Sequence, residues 1–406
     1  GDRQPALDLA YRQGRVSGHQ LRSLGIDINL APCVDLLRRS DERGIGSRSF
    51  GADDQLTSAL AAALGRGHRE EGVHDCWKHY PGIGRSRLDP HHRLPRVPAE
   101  GSRAHLRPFI AAATSGASII MTSHVVAEAL DGDLPVTFSS KAVAGRLRST
   151  IGFDGVITSD CLEMGALSSV SFEEIARRTA SAGHDVLLVS HSADRQRIAR
   201  DVIGALEGDQ GESHRRLETL AREARIPSGS MPEDGEALAG EIAEGGVTLL
   251  RGTSARIPRG GKWLLVLPSL ETTSPVEDPS PGEKLGELES LIKERCEVIR
   301  VSSEPTSEQI AEVARGAAQV AGLIVALKGA RKGGGQAELA RGACQWHRRV
   351  IFLLLEDPRD LIALGKSEGV VALTAYGFRP VHQRALARVL LGEIEATGTS
   401  PVGDLG

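Results

Sequence analysis

Residues 78–92, KHYPGIGRSRLDPHH, begin where a short apolar run ends and continue as a loop with two prolines and two glycines. The same stretch carries a lysine, two arginines, an aspartate and three histidines. Cations this close together repel one another and lose hydration when buried, so a plain core has little use for them. A solvated surface loop accounts for the composition, and so does a chemical site at the end of a strand.

The triplet Asp89-Pro90-His91 favours the chemical site. Proline fixes its own φ and biases the residue before it towards extended geometry. The carboxylate of Asp89 is then held where it can orient and polarise the imidazole of His91. The triplet therefore predicts an Asp–His pair that transfers protons.

Outward from this loop, strand-like and helix-like segments alternate along the first half of the chain. Apolar, β-branched runs predict five strands, at Ile26–Val34, Val73–His79, Ser118–Val125, Val156–Ser159 and Val186–Val189. Amphipathic segments predict helices at about 3–24, 53–71, 100–115, 139–150 and 171–182. Alternation of this kind predicts the α/β class, with a parallel sheet and right-handed crossovers.

Each of these predicted strands ends in polar or ionisable residues. They are Asp35, Lys78-His79, Ser123-His124, Ser159-Asp160 and Ser190-His191. A TIM (β/α)8 barrel collects its active site at the carboxyl ends of its strands in this way. A doubly wound open sheet does the same at its switch point and is the structural alternative.

The length of 406 residues predicts two domains. Residues 226–240 are rich in Pro, Gly, Ser and acids and predict a linker between a domain at 1–225 and one at 241–406. Strand-like and helix-like runs resume after the linker and predict a second, smaller α/β domain. The stretch 329–336, GARKGGGQ, has neither the GK[ST] ending of a P-loop nor GxGxxG spacing, so it predicts a mobile surface loop.

Composition excludes several classes of partner and site. The net charge of −4 gives no electrostatic case for nucleic acid or an anionic membrane. No apolar run reaches the roughly 18 residues of a membrane span. The five scattered cysteines and the histidines show no CxxC or HExxH spacing, so no metal site is predicted. No signal peptide is visible, and localisation, cytoplasmic or exported, stays open, as does a homo-oligomeric state.

A second chemical stretch is 152–167, GFDGVITSDCLEMGAL, in which an apolar strand delivers Asp160 just past its end. Capping of the next helix explains one such carboxylate equally well. Together with the Asp89–His91 pair, however, Asp160 matches the needs of a retaining glycosidase, which uses a carboxylate nucleophile and a proton donor on opposite sides of the sugar. A histidine suits the second role because its ordinary pKa of about 6.5 lies near neutrality.

These residues resemble glycoside hydrolase family 3, in particular its β-N-acetylglucosaminidase branch. Residues 78–95, KHYPGIGRSRLDPHHRLP, are similar to the branch motif KH(F/Y)PGHGxxxxDSHxxLP, and 152–164 to GFxGVxxSDDLxM. Shorter matches lie at Ala31-Pro32 with Asp35, at 45–51 (IGSRSFG) and at 121–125 (MTSHV). Beyond the linker, VTLLR, Tyr376-Gly377, LLGE and TSPVG resemble the family's C-terminal α/β sandwich domain.

The resemblance implies a role for each matched residue. Asp160 is implied as the nucleophile, His91 as the general acid/base and Asp89 as its orienting partner. Arg48, Lys78 and His79 are implied as ligands of the sugar hydroxyls of N-acetylglucosamine (GlcNAc). Asp35, which touches substrate or only stiffens its loop, and His124, near the site without being a catalyst, are two further substrate-binding candidates. The implied mechanism needs no cofactor.

The chain departs from the family pattern at three positions, Ile83, Pro90 and Cys161, each of which replaces a polar residue of the motif. Family barrels have eight strands and five are visible before the linker, so the resemblance predicts the other three upstream of Gly1.

The leading functional hypothesis is hydrolysis of terminal β-linked GlcNAc from muropeptides, as in peptidoglycan recycling, or from chito-oligosaccharides. A phosphorylase that uses the same residues is the runner-up, since a second carboxylate would repel phosphate and an imidazole would not. A catalytically silent sugar-binding protein is the third.

Overall fold

The computed structural model describes residues 3–38, 45–84, 86, 88, 90–190, 195–205, 211–223, 230–270, 285–367 and 369–402. The chain divides into two compact units, Gly1–Gly235 and Glu236–Gly406. Among the described residues, no helix combines the length and the apolar character that a bilayer crossing requires.

The first unit contains a parallel sheet whose strands follow one another in chain order. The strands of the unit are β1 (Ile28–Asn29), β2 (His74–Tyr80), β3 (Arg96–Val97), β4 (Ile119–Thr122), β5 (Val126–Ala127) and β6 (Val156–Thr158). The main sheet has the order β1-β2-β4-β6, and each neighbouring pair is parallel. The short strands β3 and β5 pair separately. A doubly wound sheet reverses its strand order at a switch point, and no reversal occurs among the described strands of this unit.

Six α-helices accompany these strands among the described residues. They are α1 (Gln4–Ser23), α2 (Asp54–Glu70), α3 (Ser102–Ser115), α4 (Phe172–Ser181), α5 (Arg195–Ala205) and α6 (Gly211–Glu223). Helices α2 and α3 lie between strands of the main sheet. Helix α2 starts where Asp53 accepts hydrogen bonds from the backbone N–H groups of Gln55 and Leu56, at 2.8 and 2.9 Å, which satisfies two donors that the helix leaves open. Helix α3 ends at Gly116, whose φ of +74° reverses the chain at low cost.

Three predicted elements of the first unit differ from the structure. The first strand keeps only two ladder residues, and its Ile26, Ile28 and Leu30 are about 40% exposed. The predicted fifth strand is reduced to a single parallel bridge between Thr158 and Val186. The predicted helix at 139–150 forms as a π-helix over Lys141–Thr150, a form that hydrophobic periodicity does not distinguish from an α-helix.

The second unit is a three-layer α/β/α structure. Its strands are β7 (Thr248–Arg251), β8 (Trp263–Pro268), β9 (Cys296–Val301), β10 (Leu323–Leu327), β11 (Val350–Leu354) and β12 (Val370–Thr374). They are ordered β7-β12-β11-β10-β8-β9, with β7 antiparallel at one edge and the rest parallel. The helices are α7 (Gly235–Gly246), α8 (Gly286–Ile292), α9 (Ser307–Ala317), α10 (Gly334–Trp346) and α11 (Pro380–Leu391). Separate apolar clusters cover the two faces of the sheet.

Two predicted loops are partly helical. Helix α7 begins at Gly235, within the predicted linker. The glycine-rich stretch 329–336 forms a 3-10 turn at Ala330–Lys332 and then the first turn of α10. A Cβ on Gly335 would lie 2.2 Å from the carbonyl oxygen of Pro305, so this glycine permits a close packing contact.

Candidate functional site

Strand β2 carries the first site residues to the carboxyl end of the sheet. Its residues are buried except for Lys78, which is half-buried. The strand is held on one side by the segment before it: the N–H of Val34 donates to the carbonyl of Lys78 at 2.7 Å, and the N–H of Lys78 donates to Pro32 at 3.1 Å. These bonds place Asp35 directly beside the end of the strand.

Asp35 is fully buried and is bound by four protein donors. Its Oδ2 accepts hydrogen bonds from Nδ1 of His79 at 2.7 Å, from the N–H of His79 at 3.1 Å and from the thiol of Cys33 at 3.4 Å. Its Oδ1 accepts from the N–H of Ile83 at 2.7 Å. The carboxylate thus clamps the end of β2 to the loop that follows it, which favours the loop-stiffening role over contact with substrate.

The charge of this cluster is set by burial and by its cationic neighbours. Burial raises the pKa of the Asp35 carboxyl. The charge of His79, its hydrogen bond to Asp35, and the hydrogen bonds that Ile83 and Cys33 donate to Asp35 together outweigh burial, so the pKa is lowered. Burial and the Asp35 charge raise the pKa of the Cys33 thiol to about 12, against the opposing charges of Arg48 and Lys78.

Cys33, Asp35 and His79 also hold donor atoms within 4.8 Å of one another, as a metal site would. In this structure the thiol of Cys33 and Nδ1 of His79 both bind the Asp35 carboxylate, so the three groups are partners of one another. The cluster is suited to bracing the loop.

Replacement of Asp35 by Asn should therefore destabilise the protein. Removing one partner of a buried charged pair costs about 3 kcal/mol, and urea unfolding at neutral pH measures it. Because the folded-state pKa of Asp35 is lowered, its contribution is complete above the unfolded value of about 4 and disappears as pH falls through the folded value. The difference between parent and variant should shrink in acid. Asp8→Asn, at an exposed i,i+4 pair with Arg12, should change the free energy of unfolding by less than about 0.5 kcal/mol at either pH.

The loop that bears His91 is joined to the turn after Asp160. The N–H of Gly165 donates to the carbonyl of His91 at 3.1 Å, and the N–H of Ala166 donates to that of Pro90 at 3.1 Å. A Cβ on Gly165 would lie 2.6 Å from the carbonyl oxygen of His91, so only glycine permits this approach. His91 itself is half-buried. Asp89, with Arg85 and Arg87, lies outside the described residues.

Asp160 stands just past β6 with its carboxylate partly exposed. Its backbone N–H donates to the carbonyl of Thr122 on β4 at 3.2 Å, and its Oδ1 accepts from the N–H of Cys161 at 2.7 Å. One carboxylate oxygen is therefore fixed by the backbone, which sets the orientation of the group. An orientated, partly exposed carboxylate at a strand end is suited to act on a bound ligand.

His124 is fully buried, and both of its ring nitrogens have protein partners. Nδ1 lies 2.6 Å from the hydroxyl of Thr137, and Nε2 lies 2.8 Å from the carbonyl of Cys161. Because a carbonyl only accepts, Nε2 carries the hydrogen. The ring has no nitrogen left for a sugar hydroxyl, so the expectation that His124 contacts substrate is corrected: it supports the peptide next to Asp160.

Electrostatic effects show which of the predicted residues lie together. Burial lowers the pKa of His124, Asp160 raises it, and the charges of His79 and His91 lower it further. Burial raises the pKa of the Cys76 thiol to about 12, with Lys78 acting against this rise and Asp160 adding to it. The structure thus gathers residues from β2, from the His91 loop and from the end of β6 around one region.

Sequence reasoning missed the groups that hold the turn after Asp160. Ser190 donates from its hydroxyl to the sulfur of Cys161 at 3.1 Å and from its N–H to Oε2 of Glu163 at 3.0 Å. Thr137, the partner of His124, was missed as well. The only signal for Cys161 was its departure from the family motif, and nothing in the sequence marked Thr137.

The candidate site lies in a part of the chain that is similar to known proteins. The sequence model of the glycosyl hydrolase family 3 N-terminal domain matches residues 3–220. A beta-hexosaminidase of Chromobacterium violaceum is 37% identical over 231 residues, which cover 55% of this chain and 63% of the relative. One of Bordetella avium is 35% identical over 212 residues, 50% of this chain and 59% of the relative. The chain thus spans about three fifths of the length of these relatives.

A solved structure is similar over nearly the whole chain. It is a glycoside hydrolase family 3 beta-N-acetylglucosaminidase from Paenibacillus sp., with a TM-score of 0.89 and 31% identity, covering 98% of this chain and 80% of the other. The family match spans more than half of the chain and includes every candidate site residue. This chain is therefore a member of glycosyl hydrolase family 3.

Proposed function

We propose that this protein is a retaining β-N-acetylglucosaminidase that removes terminal β-linked GlcNAc through a glycosyl-enzyme intermediate on Asp160. The observation that carries the proposal is the pair of backbone hydrogen bonds that ties the His91 loop to the turn after Asp160. Those bonds hold the loop that carries His91 against the turn that follows Asp160, and a retaining mechanism needs a proton donor and a carboxylate in one such region. The matched relatives are named beta-hexosaminidases, and the solved neighbour is a beta-N-acetylglucosaminidase.

In the first step Asp160 attacks the anomeric carbon of GlcNAc. Its Oδ1 is held by the N–H of Cys161, so Oδ2 is the attacking atom. As the new C–O bond to Oδ2 forms, the glycosidic C–O bond breaks and His91 gives its proton to the departing oxygen. The products are a glycosyl ester on Asp160 and the released aglycone.

In the second step water cleaves the ester. Neutral His91 takes a proton from the water, whose oxygen bonds to the anomeric carbon while the bond to Asp160 breaks. The two displacements together retain the β configuration. Asp89, which lies outside the described residues, orients and polarises His91 in this proposal.

Three cationic or polar groups hold the sugar in the proposed complex. Arg48 and Lys78 provide charged donors to its hydroxyls. Nδ1 of His79 is bound to Asp35, which leaves Nε2 for the sugar. Asp35 positions His79. His124 holds the Cys161 peptide next to Asp160. Neither touches substrate in this proposal.

We further propose that the sheet of the first unit is part of a (β/α)8 barrel. Its support is the parallel strand order that follows the chain without reversal and the collection of site residues at the carboxyl ends of β2, β4 and β6. We also propose that this barrel domain ends at residue 225 and that the second domain begins at residue 241. The proposed substrates are muropeptides or chito-oligosaccharides.

The assay that tests the function uses p-nitrophenyl-β-GlcNAc with and without inorganic phosphate. Hydrolysis should release free GlcNAc with or without phosphate. Formation of GlcNAc-1-phosphate would instead assign the phosphorylase reaction, which an imidazole acid/base accommodates because it does not repel the incoming anion. Saturable binding of GlcNAc, with no cleavage of GlcNAc glycosides that carry different aglycones, would contradict both the hydrolase and the phosphorylase reaction and leave a sugar-binding protein.

The contact between Gly165 and His91 gives a specific prediction. A Cβ at position 165 would lie 2.6 Å from the carbonyl oxygen of His91, so Gly165→Ala would push that carbonyl away. Because misplacement of a reacting group by about 1 Å costs about 100-fold, kcat should fall by about that factor with little change in KM.

Gly132→Ala is the matched control, because a Cβ there meets nothing within 4 Å. Steady-state kinetics of both variants, alongside thermal unfolding, separate displacement of His91 from loss of folded protein. Parental kcat in a folded Gly165→Ala variant would show that the two loops need not be in contact for turnover.

A further inference from the structure

A cavity of about 630 Å³ lies between α3 and the π-helix, and none of its lining residues belongs to the candidate functional site. From α3 it is lined by Arg103, Leu106 and Ile110, which share one face because they are three or four residues apart. From the π-helix it is lined by Lys141 and Arg146. Its volume falls within the range of small-molecule sites. We refer to it below as the lateral cavity.

The lateral cavity is strongly cationic. Arg103, Lys141 and Arg146 line it, and among the described residues no carboxylate does. Asp131 acts on Lys141: its Oδ2 accepts a hydrogen bond from the hydroxyl of Ser139 at 2.8 Å, and its pKa is lowered by that bond first and by the Lys141 charge to a lesser degree. The described lining itself contributes three cations and no carboxylate.

The π-helix places Lys141 and Arg146, the two cations that it contributes to the lateral cavity, on one side of the helix. Its hydrogen bonds run from residue i to i+5, as from the N–H of Gly145 to the carbonyl of Ser140 at 2.8 Å and from Ile151 to Arg146 at 2.9 Å. A turn of this form takes roughly four to five residues, so Lys141, Arg146 and Thr150 lie one above another. In an α-helix of 3.6 residues per turn, Lys141 and Arg146 would point well apart. Turns of π-helix occur frequently at functional sites.

Arg146 supplies an independent sign of a missing partner. Its Nε is buried and finds no hydrogen-bond partner among the described residues. Buried polar groups almost always have a partner, and a charged donor is the costliest to leave without one. A ligand oxygen in the lateral cavity would satisfy it.

We infer that the lateral cavity binds a small ligand that carries a phosphate or carboxylate group on a partly apolar body. The three cations bind the oxyanion, because guanidinium groups pair with such oxygens through charge-assisted hydrogen bonds. The apolar body lies against Leu106, Leu130 and Ile110, the last of which is 43% exposed despite its size. The site is separate from the GlcNAc chemistry proposed above.

Calorimetric titration of the whole protein tests this inference. The probes are inorganic phosphate, phenyl phosphate and benzoate, each at matched ionic strength. Phenyl phosphate should bind saturably and more tightly than inorganic phosphate, because its ring adds apolar contact. Comparison with benzoate tells whether the site prefers a phosphate or a carboxylate.

Two variants locate the binding. The double variant Arg103→Ser/Lys141→Ser should weaken binding at least tenfold, since it removes two of the three charged donors that line the lateral cavity. Arg146→Lys keeps the charge without the Nε donor and should weaken binding by about tenfold. Arg66→Ser/Arg107→Ser, which removes two exposed cations outside the lateral cavity, should leave the affinity unchanged. Absence of saturable binding of all three probes, or equal weakening in the control, would overturn the assignment.

Discussion

Asp160→Asn should lower kcat/KM for p-nitrophenyl-β-GlcNAc by at least about 10³-fold, because the amide cannot form the ester on which both steps depend. The substitution preserves shape, and its oxygen can still accept the N–H of Cys161, so the turn after β6 is expected to keep its structure. Binding of GlcNAc, measured by calorimetry, should persist. Loss of turnover with retained binding is the signature of a missing nucleophile.

Asp154→Asn is the matched control for this experiment. Asp154 lies on the same segment, before β6, and is exposed beside Arg216. Its replacement removes the same charge from the same stretch and should leave kcat and KM at parental values. Equal losses in the two variants would mean that charge or stability, and not nucleophilic attack, underlies the effect of Asp160.

His91→Gly should slow both steps, and the size of the loss should depend on the leaving group. General acid–base catalysis contributes about 10²–10⁴-fold. A p-nitrophenol leaves readily without a proton, so the first step should suffer little with this substrate and more with a sugar aglycone. The second step needs a base for water, so the glycosyl-enzyme should accumulate and a burst of nitrophenol should precede slow turnover.

Azide provides the decisive rescue of His91→Gly. It is an anionic nucleophile that needs no base, so it should restore turnover and yield the β-glycosyl azide. His92→Ala, at the exposed neighbouring histidine, is the control and should show neither burst nor rescue. Failure of azide to accelerate His91→Gly, in a variant that still binds GlcNAc, would remove His91 from the acid/base role.

Much of the fold is visible in the sequence because apolar periodicity reports burial directly. The strand predicted at Val73–His79 forms over His74–Tyr80, and all of its residues except Lys78 are buried. The strand predicted at 26–34 is largely lost, because Ile26 and Ile28 are exposed and periodicity does not show whether an apolar face is covered. The π-helix was not foreseen because its i to i+5 pattern depends on backbone bonding.

The candidate site was predictable where a motif fixes chemistry and not where tertiary contacts fix it. The sequence placed His79 and Asp160 at strand ends, and the structure puts them there. It did not show that Asp35 is saturated by four donors or that both nitrogens of His124 are used. Those contacts join residues from separate segments, and only the folded chain defines them.

The most direct test of the account is to identify the residue that carries the sugar. His91→Gly mixed with p-nitrophenyl-β-GlcNAc should accumulate the covalent intermediate, and acid quenching followed by proteolysis and mass spectrometry should find one N-acetylhexosamine on the peptide that contains Asp160. Fragmentation should place it on the Asp160 side chain, and Asp160→Asn/His91→Gly should carry none. A sugar on another residue, or rapid turnover with no adduct at any time, would contradict the assignment of Asp160 as nucleophile.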